Sequence, residues 1–296
     1  MAALAVGAVV GCAAGGTGPD PSSGSGGTGG FASSTGGSLL VGGGGGVTVG
    51  AGGGTGGTEV TEVFGHSGTT LYRLDPITNA ISTVGDFQNC GPNAVLDIAL
   101  DKNSNLYAVK RTQLYRVDRQ TAVCTLVNEL TDPNLEYPNS LSFVPEGTLE
   151  SNEALVGYQD ADYVKVDTTT GALSVVAAGA LGGTYISSGD IVSIIDGATY
   201  LTIKGGDCDV LDCIVEVNPV NGSMVKNYGS VGFDDVFGLA FWGGKAYGFT
   251  RGGELFEMTF GTNNVASTLI PFPNAPAGLQ LYGAGSATSV PFEPPQ

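Results

Sequence analysis

One phrase of fourteen residues occurs five times in this sequence, and this repeat limits the possible folds more than any other feature. Each copy places two runs of alternating apolar and polar residues around a turn rich in Asp, Asn, Thr, Pro or Gly, the pattern of a β-hairpin. The copies are LYRLDPITNAISTV (71–84), LYRVDRQTAVCTLV (114–127), YVKVDTTTGALSVV (163–176), IVEVNPVNGSMVKN (214–227) and LFEMTFGTNNVAST (255–268). Aligned at the turn, they are 41 to 51 residues apart. Such a period predicts a fold made of repeated units.

A second pair of strand-like segments comes before four of the five hairpins. These segments are residues 95–110, 139–158, 189–204 and 236–250. Each unit therefore has four short strands and no convincing helix. Four-stranded units with a period of about 40 to 50 residues predict the blades of a β-propeller. A solenoid and a β-sandwich are the competing folds, but alternating sandwich strands do not explain the repeated Asp-containing turn.

The two ends of the repeat are each incomplete, in complementary ways. The first hairpin has no clear innermost strand before it, whereas AGLQLYGAGSATSV (277–290) resembles an innermost strand with no hairpin after it. If the C-terminal strand completes the N-terminal blade, the ring closes and leaves no open sheet edge. We therefore expect an all-β, five-bladed β-propeller over residues 60–290, followed by a tail at 291–296. A six-bladed ring would require the Gly-rich stretch 39–58 to be ordered.

The repeated phrase also carries a resemblance to a known group of proteins. The pattern Leu-Tyr-x-hydrophobic-Asp-Pro-x-Thr, as in residues 71–78, resembles secreted bacterial propellers of the NHL/YVTN type. The resemblance extends over nearly all of residues 60–290. It implies the fold and says little about activity, because the matching positions are structural and propellers have many unrelated functions.

The N-terminal segment is typical of an export signal. Residues 1–11 (MAALAVGAVVG) form an apolar run that ends at Cys12. As a helix the run would span about 16 Å, roughly half a bilayer, so it is too short to cross a membrane. Residues 9–12 (VVGC) resemble a bacterial lipobox, which implies lipidation of Cys12, although no Lys or Arg precedes the run. A start codon placed too far downstream would explain that departure, and the alternative is a disordered terminus with an incidental cysteine.

Residues 13–59 are predicted to be a disordered Gly-rich linker. Between 13 and 58 the only charged residue is Asp20, and such Gly/Ser/Thr tracts bury too little apolar surface to offset the entropy of folding. A coil of this length spans on the order of 40 Å, enough to hold a folded domain clear of a membrane. Because Ala13 and Ala14 differ from an Asp-type inner-membrane retention signal, the outer membrane or cell surface is the expected location.

Charge excludes two classes of partner. The net charge is −17, and from residue 59 onward 27 acids face 11 bases. Nucleic-acid binding requires basic patches, and docking to anionic lipid does as well, so a lipid anchor is the only membrane contact that we expect. The chain has a single histidine, His66. One histidine is too few for a metal site with several His ligands, or for a Ser-His-Asp catalytic triad together with any further histidine. We interpret His66 as a residue next to a turn, and the alternative is that it acts as a base.

Besides Cys12, the chain has four cysteines, Cys90, Cys124, Cys208 and Cys213. An even number in an exported chain favours disulfides, and three pairings are possible. Local context prefers a bridge from Cys208 to Cys213 across a hairpin loop and one from Cys90 to Cys124 between neighbouring blades. The alternative, a zinc site, lacks a second Cys/His pair.

Candidate binding residues come from the innermost strands and the loops before them. Alignment places Asp97, Ser140, Asp190, Gly238 and Gly278 at equivalent positions facing the central channel. There the two carboxylates could hold Ca²⁺, or all five could simply be short residues at tight turns. The preceding loops bring to one rim Asn93, Asn139, Asp234, Asp235 and Asn274. Aromatic candidates for a carbohydrate platform are Trp242, Tyr247, Tyr185, Tyr228 and Phe237.

These features together predict a monomeric, membrane-tethered, extracytoplasmic binding module for a protein or carbohydrate partner, with no evident catalysis. Two alternatives stay open. One is a Ca²⁺-dependent propeller hydrolase or lyase with Asp97 and Asp190 as axial ligands. The other is a structural protein of the envelope.

Overall fold

The computed structural model describes residues 62–294. Cys12 and the predicted linker at 13–59 lie outside these residues. The described chain folds into strands, turns and bends, and no helix in it could span a lipid bilayer. Twenty strands form five antiparallel sheets of four strands each, which are the five predicted blades.

The strands of the first three blades follow one another closely along the chain. Blade 1 contains β1 (Val63–His66), β2 (Thr70–Asp75) and β3 (Ala80–Asp86). Blade 2 contains β4 (Asp97–Leu100), β5 (Leu106–Val109), β6 (Gln113–Val117) and β7 (Cys124–Glu129). Blade 3 contains β8 (Ser142–Val144), β9 (Ala154–Gln159), β10 (Asp162–Val166) and β11 (Leu173–Ala177).

The remaining strands complete the ring. Blade 4 contains β12 (Ile186–Ser193), β13 (Thr199–Gly205), β14 (Cys208–Val217) and β15 (Met224–Ser230). Blade 5 contains β16 (Val236–Trp242), β17 (Lys245–Thr250), β18 (Leu255–Phe260) and β19 (Val265–Ile270). The last strand is β20 (Gly283–Ser286).

Strand β20 closes the ring, as the incomplete ends of the repeat predict. It pairs antiparallel with β1, with Gly283 opposite His66 and Ser286 opposite Val63, so the sheet order of blade 1 is β20-β1-β2-β3. The innermost strands β4, β8, β12, β16 and β20 contact one another in that cyclic order. Every blade therefore lies between two neighbours, and neither end of the repeat leaves an exposed innermost edge.

In four blades, the Asp or Asn at the repeated turn position makes the same hydrogen bond. The side chains of Asp75, Asp118, Asp167 and Asn218 each accept a hydrogen bond from the backbone N–H two residues later, at 2.8 to 2.9 Å. This is the Asx-turn geometry that explains why these residue types recur between the outer strands. The backbone N–H groups of Thr170 and Thr169 hold the pKa of Asp167 below its usual value.

Aromatic side chains fill the spaces between blades. Tyr158 and Tyr163 of blade 3 are fully buried, and their hydroxyl groups donate to the backbone oxygens of Gly222 and Pro219 in blade 4. Trp242 and Tyr247 are also buried, so neither is available for the expected carbohydrate platform. Beyond β20, the Phe292 ring stacks against Phe241 at 5.9 Å between centroids. Large aromatic groups thus bind the blades together through burial and ring contacts.

Both preferred disulfides are present. Cys90 lies after the outer strand of blade 1 and pairs with Cys124 in the outer strand of blade 2, with the Cα atoms 5.3 Å apart. Cys208 pairs with Cys213 inside blade 4, with the Cα atoms 5.6 Å apart. The first bridge links neighbouring blades, and the second closes a loop of residues 209–212.

Candidate functional site

The innermost strands bring one residue from each blade to the axis of the ring. Four of them are the residues predicted by alignment: Asp97, Ser140, Asp190 and Gly238. In blade 1 the prediction of Gly278 is wrong, because Gly283 is the residue that pairs with the second strand at the equivalent register. Gly278 lies in the loop before β20, in a left-handed conformation with φ of 68°. The error arose because no repeated phrase follows the C-terminal strand to fix its alignment.

Asp190 joins the innermost strands of three blades. Its Oδ1 atom accepts hydrogen bonds from the backbone N–H groups of Ile191 (2.7 Å) and Leu141 (3.3 Å), and its Oδ2 atom accepts one from Leu239 (2.8 Å). The side chain has no solvent exposure. The three backbone donors replace hydrogen bonds of water and hold the carboxyl group in one orientation, and they offset part of the cost of its burial.

Asp97 lies beside Asp190 and is less well satisfied. Its Oδ1 atom accepts a hydrogen bond from the Ile98 backbone N–H at 2.8 Å, whereas its Oδ2 atom is buried and has no hydrogen-bond partner. Burial and the adjacent carboxyl of Asp190 raise the pKa of Asp97 well above its ordinary value. Burial likewise raises the pKa of Asp190, to about 8. The two acids therefore hold at least one proton between them at neutral pH.

His66 is the third polar group at this place; it directly precedes the turn at residues 67–69, as expected, but it is also buried. It ends strand β1, opposite Gly283, and its side chain has no solvent exposure. The ring Nδ1 atom is 2.8 Å from the Ser67 carbonyl oxygen, so Nδ1 carries the hydrogen and Nε2 is left with a lone pair. That Nε2 atom has no hydrogen-bond partner. Burial lowers the pKa of His66 to about 4, which keeps the ring uncharged at neutral pH.

Gly283 leaves the space in which these groups meet. A Cβ atom at residue 283 would lie within 2.5 Å of both Asp97 Oδ1 and His66 Nε2, so these two atoms are at most about 5 Å apart. The positions equivalent to His66 in the other blades are Val109, Tyr158, Thr202 and Phe249, none of which is a metal ligand of comparable strength. We name Asp97, Asp190 and His66 the axial trio.

The axial trio is closed to solvent. No substrate reaches Asp97 or Asp190 in this structure, because neither side chain has accessible surface. Among residues 62–294, no three His, Cys, Asp or Glu side chains are gathered closely enough, as they stand, to hold a metal ion. The assignment of Ca²⁺ to Asp97 and Asp190 stays a prediction, as does the hydrolase or lyase alternative built on it.

The five rim residues predicted from the sequence share one face of the ring. Asn93, Asn139, Asp234, Asp235 and Asn274 all lie in connections from an outer strand to the next innermost strand. These connections contact the loops between second and third strands, as where Arg251 N–H donates to the Asp235 carbonyl at 2.9 Å. We call this side of the ring the upper face. All five residues have solvent exposure, and their role in binding stays a prediction.

Two of these rim residues are engaged within the protein. The Lys204 ammonium group is 2.9 Å from Asp234 Oδ1, 2.8 Å from Asp235 Oδ1 and 3.8 Å from the buried Asp212 Oδ1. These carboxylates raise the pKa of Lys204 despite its partial burial. Three carboxylates around one ammonium group leave an excess of negative charge at this part of the upper face.

Next to this cluster, the Cys208–Cys213 bridge holds a loop that projects from blade 4. Strands β13 and β14 pair Ile203 with Cys213 and then Gly205 with Cys208, so residues 209–212 bulge out of the ladder. In this loop Val210 is 81% exposed, the highest exposure among the large hydrophobic residues of the described chain, and Leu211 is 37% exposed. Asp207 and Asp209 beside them are also exposed. We call residues 207–211 the stapled loop.

A cleft of about 700 Å³ lies on blade 2, and its lining includes no residue of the axial trio or of the stapled loop. Its two guanidinium groups are already engaged. Arg119 forms an ion pair with Glu62, and Arg116 donates to Asn105 at 3.2 Å and lies over the Tyr107 ring. Both guanidinium groups of this cleft are therefore committed to partners within the protein.

Comparison with known proteins identifies no family for this chain. No protein-family model matches the sequence, and no curated protein matches it. Among solved structures, the chain is similar to one from the crystal structure of a nidogen/laminin complex, with 14% identity, 77% of this chain and 99% of that chain covered, and a TM-score of 0.46. It is also similar to a protein of unknown function from Bacteroides caccae, with 9% identity, 76% and 98% coverage and a TM-score of 0.43.

Proposed function

We propose that this protein is an extracytoplasmic binding module that is tethered to a membrane by a lipid on Cys12 and docks a protein partner through its upper face. The observation that carries the proposal is the stapled loop. A disulfide-closed loop that exposes Val210 and Leu211 keeps apolar surface in water, at a cost in free energy that a binding partner would recover.

The surroundings of the stapled loop favour a protein with a basic rim. Asp207 and Asp209 flank the exposed Val210, and the excess carboxylates around Lys204 lie in the same blade and the connection after it. A central apolar contact inside a charged rim is the usual arrangement of a protein interface, and charge complementarity then selects the partner. The disulfide lowers the entropy lost on binding, because the loop is already ordered.

Export and tethering are supported by separate features. Two disulfides are typical of an oxidising compartment outside the cytoplasm. The lipobox resemblance at residues 9–12 and the Gly-rich stretch that follows support a lipid anchor with a long spacer. An outer-membrane or cell-surface location is part of the same proposal.

Affinity capture with matched variants tests the docking surface. The test variant is Val210→Asp in the stapled loop, and the control is Val220→Asp, which places the same charge at a 54%-exposed valine in the β14–β15 turn at the opposite end of blade 4. We expect a specific protein to be recovered from envelope extracts by the wild type and the control, and at least tenfold less by Val210→Asp. Equal recovery by both variants would contradict the stapled loop as the docking surface. Recovery of a glycan instead of a protein would contradict the class of partner.

A further inference from the structure

We propose that the axial trio binds one Zn²⁺ ion, or a chemically similar first-row divalent ion, through Asp97, Asp190 and Nε2 of His66. The three side chains come from blades 2, 4 and 1, so the ion would join blades across the axis of the ring. This site is separate from the stapled loop and does not depend on the proposed docking function.

Two unsatisfied acceptors at one buried place point to a cation. His66 Nε2 and Asp97 Oδ2 are both buried without a hydrogen-bond partner. Leaving a buried polar atom without a hydrogen-bond partner is unfavourable, so two such atoms together need an explanation. A proton shared between Asp97 and Asp190 would give Asp97 a partner but would leave His66 Nε2 without a donor, whereas one cation can be shared by both residues.

The groups around the trio already have the arrangement that supports metal ligands. A histidine that binds a metal usually donates its other ring N–H to a carboxylate or backbone carbonyl, and His66 Nδ1 is 2.8 Å from the Ser67 carbonyl. Ligating carboxylates are themselves hydrogen-bonded, and the oxygens of Asp190 accept three backbone N–H groups. These contacts hold the tautomer of the ring and the orientation of the carboxylate.

The donor set indicates which ion fits. Ca²⁺ takes six to eight oxygen ligands, whereas one imidazole and two carboxylates are suited to Zn²⁺ and related ions. The two aspartates alone suggest Ca²⁺, but the imidazole of His66 beside them favours Zn²⁺ or a related ion. The ion would balance the charge of two carboxylates inside a closed core, where an unpaired anion is costly.

Asp97 Oδ1 and His66 Nε2 lie near the separation that two ligands of one ion require. Two donors of a tetrahedral Zn²⁺ ion, each about 2.1 Å from the metal, are roughly 3.4 Å apart. Asp97 Oδ1 and His66 Nε2 are at most about 5 Å apart, and the absence of a side chain at Gly283 leaves room between them. Binding releases the proton that the two aspartates hold.

The first experiment measures metal content after refolding, because a closed site takes up its ion as the ring forms. The full disulfide-bonded protein is unfolded in guanidinium and refolded with equimolar Zn²⁺, with equimolar Ca²⁺ or with EDTA. Each sample is then dialysed and assayed by elemental analysis. We expect about one Zn²⁺ per chain and a higher thermal unfolding midpoint than after refolding in EDTA. A wild type that folds with less than 0.1 equivalent overturns the proposal, and so does retention of Ca²⁺ alone.

The second experiment assigns the ligands. His66→Asn keeps an amide N–H in place of Nδ1–H and removes Nε2, and Asp97→Asn removes one carboxylate. The matched control is Asp212→Asn, which changes another buried aspartate, in the third strand of blade 4, that is not part of the axial trio. We expect at least tenfold weaker Zn²⁺ affinity in the first two variants and unchanged affinity in the control.

The absorption spectrum of bound Co²⁺ distinguishes a metal ligand from a residue with a purely structural role. Bound to the wild type, it should give visible absorption bands from a nitrogen and oxygen donor set, and His66→Asn should alter them. If Asp97→Asn fails to fold, the spectrum of His66→Asn and the metal content of the wild type still test whether the axial trio binds a metal ion. Stoichiometric Zn²⁺ with unchanged Co²⁺ bands in His66→Asn would overturn the assignment of His66.

Discussion

Replacing Asp212 with Asn should stabilise the protein at neutral pH. The Asp212 side chain is fully buried in β14, where its Oδ2 atom accepts a hydrogen bond from the Val236 backbone N–H at 2.8 Å. Its Oδ1 atom is 3.8 Å from the Lys204 ammonium group, which two other carboxylates already surround. Burial raises the pKa of Asp212 to about 6, from an ordinary value of 3.8.

The sign and size of the effect follow from these two pKa values. Between pH 4 and pH 6 the folded protein holds the proton and the unfolded chain does not, so stability falls as the pH rises. The contribution is fully present below the unfolded pKa and is lost as the pH passes the folded pKa. A difference of about two pKa units corresponds to roughly 3 kcal/mol.

Asn imitates the protonated carboxyl and removes this loss. Its amide oxygen can still accept the Val236 N–H. We therefore expect the free energy of unfolding of Asp212→Asn to match the wild type near pH 4 and to exceed it by about 3 kcal/mol at pH 8. Urea denaturation followed by tryptophan fluorescence and circular dichroism measures this, and urea avoids the screening of charge by guanidinium.

Asp234→Asn is the matched control, because Asp234 also pairs with Lys204 but is exposed to solvent. Lys204 lowers the pKa of Asp234, so the control should lose stability slightly at neutral pH, by less than about 1 kcal/mol. A difference between Asp212→Asn and the wild type that stays flat or becomes negative from pH 4 to pH 8 would refute the reasoning.

Two further predictions concern the cysteines. Replacing Cys90 and Cys124 with Ala opens a bridge with a sequence separation of 34 and should cost about 4 kcal/mol, whereas opening Cys208–Cys213, with a separation of 5, should cost about 2 kcal/mol by the same loop-entropy relation; equal losses in urea denaturation would contradict that ranking. Mass spectrometry of the mature protein should find Cys12 as a lipid-modified N-terminus, and an unmodified peptide running through Cys12 would refute the lipid anchor.

The fold could be predicted because its signals are local. Alternating residues on either side of an Asx turn define a hairpin within fourteen residues, as at Asp118, and the side-chain bond to the Gln120 N–H confirms the turn. Closure could be predicted from the unmatched strands at the two ends. The preferred disulfides were confirmed because each cysteine occupies a known place within its repeat.

The candidate site could be predicted only in part. Asp97 and Asp190 lie in repeated strands, so alignment placed both at the axis. His66 and Gly283 belong to the composite blade, whose innermost strand comes from the other end of the chain. The sequence predicts that a strand within residues 277–290 completes this blade, but no repeated segment follows that strand to set its register. The sequence therefore gave no reason to place the His66 ring beside Asp97.

The sequence by itself determined the five repeats, the hairpin turns, the cysteine pairing that local context prefers and the excess of acidic over basic residues, since each depends on neighbouring residues or on composition. Only the tertiary structure decided which polar groups meet. Ring closure brought His66 to two aspartates from other blades, and packing between blades placed Asp212 beside Lys204 and left Val210 exposed. The physical reason is that burial and hydrogen bonding depend on contacts between residues far apart in the chain, which a repeat pattern does not record.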